Sequence, residues 1–214
     1  MHSLKVENAA PSKKATHVLL LIIVSILAAL LVYVLITKAP SLKYDTMKRQ
    51  ADKISTLPKE QQAQARKTLL VSIDEQLAAD SKKIHTELAS LGVLVAQQLN
   101  DETSELHYYE YLNAHKTIVK DQSIGYAKIL YKQTPDMTPT LREQIDFVLA
   151  MEPKQGDMML IVGDYTLKKQ HYYLAVKALN FAVKSLEGDS LTQAEALRIS
   201  AQKKLDALRK ETTQ

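Results

Sequence analysis

Two groups of residues in this 214-residue chain have types and spacings that bear on chemistry. His107, Tyr111 and His115 fall at i, i+4 and i+8, so one face of a helix would carry all three. Imidazoles sharing a helix face are a zinc-ligand arrangement, but zinc chemistry also needs a general base at a set spacing, and no H-E-x-x-H string occurs. An ordinary surface or interface role is the expectation for this trio. His85 and His171 are lone residues with no partner in the sequence. The second group is tyrosine. Eight of the ten lie between 108 and 173: Tyr108, Tyr109, Tyr111, Tyr126, Tyr131, Tyr165, Tyr172 and Tyr173. With no Trp and two Phe, these side chains must supply the bulky packing, with each hydroxyl at the edge of a core. The alternative is a recognition face, since Tyr is enriched at interface hot spots.

Other chemistries lack their residues. There is no cysteine, which excludes disulfides, thiolate metal sites and cysteine nucleophiles. The phosphate-cradling strings G-x-x-x-x-G-K and G-x-G-x-x-G are missing, as is the nucleophile elbow G-x-S-x-G. No catalytic residue, cofactor or metal is expected. The chain carries 28 Lys and Arg against 24 Asp and Glu; without the three Lys and one Glu of residues 1–37 the body has 25 against 23. A nearly balanced body gives no argument for nucleic acid, which requires clustered positive charge.

The elements that would position these residues are helical. Gly and Pro number only five and six, no stretch alternates as a strand does, and good helix formers dominate, so the fold class is all-α. One stretch differs in kind. Residues 18–37, VLLLIIVSILAALLVYVLIT, carry no charge over twenty positions. As a helix they would span about 30 Å, the thickness of a bilayer core. The run is longer than the roughly 7–15 residues of a signal peptide and is followed by Thr37-Lys38-Ala39, a poor cleavage site. The expectation is an uncleaved, single-pass anchor behind a polar tail, 1–17. A short tail with a first-helix anchor predicts the amino terminus in the cytoplasm and the body outside it. Lys38, Lys43, Lys48, Arg49 and Lys53 outnumber Lys5, Lys13 and Lys14 and argue the other way.

After the anchor, residues 38–58 read as a juxtamembrane linker with a short helix, ended at Leu57-Pro58. A long amphipathic helix is expected over 59–100. Leu70, Leu77, Ile84 and Leu91 recur every seven residues, broadened by Ile73, Leu88, Leu94 and Val95. Such a seam either packs within its own domain or self-associates with a second copy as a coiled coil. Asp80 and Glu87 weaken its companion position. From 101 to 214 the predicted helices shorten, with Thr138-Pro139, Gly156-Asp157 and Gly188-Asp189-Ser190 as starts. The first helix of each successive pair would begin near 92, 123, 156 and 190, the spacing of a helical-hairpin solenoid. A faint echo at an offset of 64 residues pairs Gly92 with Gly156, His107-Tyr108-Tyr109 with His171-Tyr172-Tyr173, and Ala114 with Ala178.

Residues 156–189 resemble one tetratricopeptide repeat, whose pattern is W-x₂-L-G-x₂-Y, then A-x₃-F, then P. Met159 takes the Trp place, followed by Val162 and Gly163, with Thr166 at the Tyr place; Ala175, Leu179 and Ala182 follow in the second helix. Glu187 stands where the repeat has Pro. In 122–155 only the second half fits, through Leu141, Ile145, Val148 and Pro153. Residues 191–210 resemble the solvating end helix of such arrays. The resemblance implies an α-solenoid whose first helices line a partner-binding groove, here Asp157, Leu160, Asp164, Leu167 and Lys168. Taken with the anchor of residues 18–37, the expectation is a non-catalytic scaffold or accessory subunit in a bacterial inner membrane, with a periplasmic domain that binds other membrane or periplasmic proteins. The alternative is a ligand-sensing helical bundle on the same anchor.

Overall fold

The computed structural model describes residues 43–79 and 83–211. The polar tail 1–17 and the apolar stretch 18–37 lie outside the described residues. Among those described, no helix is long and apolar enough to cross a membrane. Contacts divide the chain into two units, 1–56 and 57–214. In the first, residues 43–54 form helix α1, with Met47 and Ile54 buried.

In the second unit the regular elements among the described residues are all helices. Its elements are α2 (Lys59–Ala79), α3 (Thr86–Leu99), α4 (Glu102–Ala114), α5 (Lys120–Gln133), α6 (Pro139–Met151), α7 (Gly156–Lys168), α8 (Tyr172–Ser185) and α9 (Gly188–Glu211). Local sequence sets the starts. The Asp101 carboxylate accepts from the Ser104 N–H at 3.1 Å, capping α4. Thr138 Oγ1 accepts from the Leu141 N–H at 3.2 Å, and Pro139 opens α6 where no N–H is needed. Gln155 Oε1 caps α7 by accepting from the Met158 N–H at 2.8 Å.

Each helix packs on its sequence neighbour, and α5 also packs on α7, as α7 does on α9. Short connections between packed neighbours make α3–α4, α5–α6 and α7–α8 three successive hairpins. Two apolar clusters fuse the helices from α5 onward. Ala127, Leu141, Ile145, Val148, Met158 and Ile161 join α5 and α6 to α7. Leu167, Ala175, Leu179 and Ala201 join α7 and α8 to α9. A small residue sits inside the first helix of every hairpin: Gly92 in α3, Ala127 in α5, Gly163 in α7. A methyl on Gly92 would lie 2.6 Å from the Tyr108 ring, and one on Gly163 2.5 Å from Leu179 Cγ. Ala127 is fully buried. Close approach of the two helices of a hairpin therefore depends on these positions.

The structure corrects two sequence expectations. Residues 59–100 are not one helix. Residues 83–85 are non-helical between α2 and α3, and α2 packs on α3 instead. The physical reason is the seam itself. Leu70, Leu77 and Leu91 are buried within a single copy of the chain, whereas Ile84 falls in the break and is 56% exposed. Packing α2 on α3 hides apolar area of Leu70, Leu77 and Leu91 that a straight helix would leave exposed, and leaves Ile84 open. The helices α2 and α3 belong to the same unit as the hairpins, rather than to a separate stem ending at 100. The second correction concerns the 64-residue echo. Gly92 lies inside α3 against Tyr108, but Gly156 starts α7 against Leu186. The structural counterpart of the Gly92–Tyr108 pair is Gly163–Leu179, with the same separation along the chain.

Candidate partner-binding cleft

A cleft of about 330 Å³ opens between α5, α7 and α9. Helix α5 contributes Lys128, Tyr131 and Lys132, and Pro135 follows from the turn after it. Helix α7 contributes Asp157, Leu160, Ile161, Asp164 and Lys168, and α9 adds Ser190 and Gln193 at the far rim. On α7 these positions recur at three- and four-residue steps, so they form one face of the helix. The flanks of this face, Met158 on one side and Leu167 on the other, are committed to the cores, and Ile161 itself belongs to the first of them.

Polar contacts fix the walls. Tyr131 donates its hydroxyl to Asp164 Oδ2 at 2.7 Å, which ties α5 to α7. Lys168 Nζ donates to the same oxygen at 2.6 Å and to the Tyr131 hydroxyl at 3.2 Å. Its ammonium also stands 5.1 Å from the centre of the Tyr131 ring, a cation–π distance. Burial, then the bond to Asp164, pushes the Tyr131 hydroxyl far above its ordinary pKa. It therefore stays protonated and acts as a donor at every physiological pH. At the other end of α7, Asp157 pairs with Lys128 at 3.1 Å and accepts from Gln155 Nε2 at 3.1 Å. Lys132 pairs with Glu102 of α4. Between these ends lie the apolar surfaces of Leu160 and Ile161.

Of the five residues expected to line a groove, Asp157, Leu160, Asp164 and Lys168 converge on this cleft. Leu167 does not. It is 7% exposed and packs with Ala175 and Leu179, because its position on α7 turns it towards α8. Asp164 also has structural work the sequence did not reveal, since it bridges two helices through Tyr131. Sequence reading missed Tyr131, Lys128, Lys132 and the α9 rim, because the first half of the α5–α6 hairpin does not follow the repeat pattern. Helical spacing from Lys128 to Tyr131 and Lys132 was the available signal.

The remaining sequence candidates have separate partners. His107 approaches Asp74 of α2 at 3.7 Å, and the His115 ring bonds the Tyr111 carbonyl of its own helix at 2.8 Å. Tyr111 accepts from the His85 backbone N–H at 3.2 Å. Among the described residues no three His, Asp or Glu side chains are grouped to hold a metal ion. The tyrosine cluster divides: Tyr108, Tyr109 and Tyr126 are core, whereas Tyr111, Tyr131, Tyr165 and Tyr172 are half-buried. Tyr108 and Tyr109 are 1% exposed, and Tyr126 is buried beside Tyr109 with ring centres 5.8 Å apart. The Tyr108 hydroxyl donates to Asp74 at 2.8 Å and to the Leu70 carbonyl at 3.3 Å, pinning α2 to α4. Tyr173, on α8, is 63% exposed. A scan against protein-family models finds no match for the chain, and no curated protein matches it.

Proposed function

We propose that this protein is a non-catalytic, membrane-anchored scaffold, an accessory subunit that holds a partner protein in the α5–α7–α9 cleft. The observation that carries the reading is the convergence of first helices. The first helices of two hairpins, α5 and α7, and the end helix α9 meet at one concavity with an apolar floor and a polar rim, the usual make-up of a binding cleft. The finer fold reading is a tetratricopeptide-like α-solenoid. It is supported by the starts of α3, α5, α7 and α9, which recur every 32 to 36 residues, by one small residue inside each first helix, and by the packing of α5 on α7 and α7 on α9. The anchor reading rests on the uncharged stretch 18–37, and the preferred topology places the helical unit outside the cytoplasm of a bacterial cell.

The test is co-purification from detergent-solubilised membranes, wild type beside Gln193→Trp. Gln193 is exposed at the α9 rim, so an indole there plugs the cleft without removing a core contact. The expected result is a partner recovered with wild type and lost with the plugged variant, at an unchanged melting temperature. Recovery of the same partner in equal yield with both would refute the cleft as the binding surface.

A further inference from the structure

The charge of the cleft is layered, and the layering points to a class of partner. Its acids lie deep: the side chains of Asp157 and Asp164 are 20% and 14% exposed. Its bases stand at the mouth: Lys128, Lys132 and Lys168 are 53%, 68% and 49% exposed. Each acid already accepts from two groups of its own chain, Asp157 from Lys128 and Gln155, Asp164 from Tyr131 and Lys168. The ammonium groups are not used up in this way. Each has three hydrogens; the contacts named here engage one on Lys128, one on Lys132 and two on Lys168. An approaching molecule therefore meets three cations at the mouth, with Asp157 and Asp164 behind them and the half-exposed Glu102 beside Lys132.

Resting on the reading of this cleft as a partner-binding surface, we infer that its occupant is an acidic peptide segment carrying an apolar anchor residue. The lysines at the mouth complement carboxylates of the segment. The floor of Leu160 and Ile161 takes an aliphatic side chain, whose burial supplies a favourable term that charge alone does not. The volume, about 330 Å³, is at the small end of ligand clefts, which suits one or two anchored side chains rather than a whole helix. A nucleic-acid backbone would satisfy the lysines but would set phosphates over apolar floor, and the Tyr131 ring, which a base could stack on, already has the Lys168 ammonium over one face.

The experiment uses the full chain in detergent micelles and short fluorescent probes read by anisotropy: a peptide of Glu and Leu, one of Ser and Leu, one of Glu and Ser, and an oligo-dT strand. The Glu–Leu peptide is expected to bind most tightly and to weaken as salt rises. In Lys128→Gln/Lys132→Gln its Kd should rise about tenfold, since each half-exposed charge pair is worth a factor of a few. Both side chains are exposed, so the fold should hold, and Lys128→Arg/Lys132→Arg should keep the binding. Equal affinity for the Ser–Leu peptide, abolished by Gln193→Trp, would overturn the acidic class while leaving the cleft in place. Equal affinity for the Glu–Ser peptide would overturn the apolar anchor. Preference for oligo-dT, or no binding of the Glu–Leu peptide, would overturn the inference. Glu–Leu binding that survives both the Gln pair and the Trp plug would place the peptide elsewhere and overturn the inference as well; retention of the native partner by the plugged variant would add the failure of the cleft reading.

Discussion

Gly163→Ala adds one methyl group at the closest approach of α7 and α8. The new carbon would lie 2.5 Å from Leu179 Cγ and 2.7 Å from Leu179 Cδ2. Carbon atoms rest at about 3.5–4.0 Å, so the pair is about 1 Å too close. Leu179 is fully buried with Ala175 and Ala201, so its isobutyl group has no solvent side to turn towards, and α8 must give way. Overpacking of this kind costs about 1–3 kcal/mol. Against it, Ala is favoured over Gly inside a helix by about 1 kcal/mol. The expected net effect is a loss of about 0–2 kcal/mol, a fall in melting temperature of up to about 8 °C for a unit of this size. Leu179→Ala alone should cost about 2–5 kcal/mol by leaving a cavity. In the double variant the added methyl occupies part of that cavity. The two costs should then fall short of their sum by about 1 kcal/mol or more. Urea unfolding of the four proteins, followed by helix circular dichroism, measures this cycle. A Gly163→Ala variant that is more stable than wild type, or costs that simply add, would show that α7 and α8 do not meet there.

Three further outcomes follow from named contacts. Ser123→Ala should cost about 1–3 kcal/mol in urea unfolding, because fully buried Ser123 donates to the buried Gln144 amide oxygen, which its loss would leave without that donor. Asp101→Ala should cost about 1 kcal/mol near neutral pH by uncapping α4. The Ser104 hydroxyl and then its N–H hold the Asp101 carboxyl below its ordinary pKa, so its contribution is present above about pH 4 and is lost as pH falls through the lowered value. The gap between wild type and variant should therefore close in acid-titrated melts. Asp164→Asn should loosen the α5–α7 contact by about 1 kcal/mol, since the Tyr131 hydroxyl and Lys168 lose a charged acceptor, whereas Lys132→Gln should leave the melt within about 0.5 kcal/mol of wild type.

Helix ends were legible because their signals are local. Thr138-Pro139, Gly156 and Gly188 each stand at a helix start, and all three helices begin there. The tight α7–α8 approach was legible too, since Gly163 and Ala175 follow a pattern that encodes it. What could not be read is whatever depends on residues far apart in sequence. A heptad seam looks the same whether a helix continues or folds back, so Leu70 and Leu91 gave no sign that α2 packs on α3. The groove was found through α7 alone. Its other walls needed Tyr131 to meet Asp164 across 33 residues, a pairing no spacing rule supplies. Leu167 was misplaced for a related reason. It shares a three-residue step with Asp164, but only the position of α8 decides that it faces the core.

The most direct measurement of the central claim is photo-crosslinking in the native membrane. A photo-reactive phenylalanine derivative is placed at Gln193, on the rim of the cleft, and in a second strain at Tyr173, which is 63% exposed on α8 and does not line the cleft. The account predicts a discrete adduct with a partner protein from position 193 and none from 173. An adduct from 173 with none from 193 would contradict it.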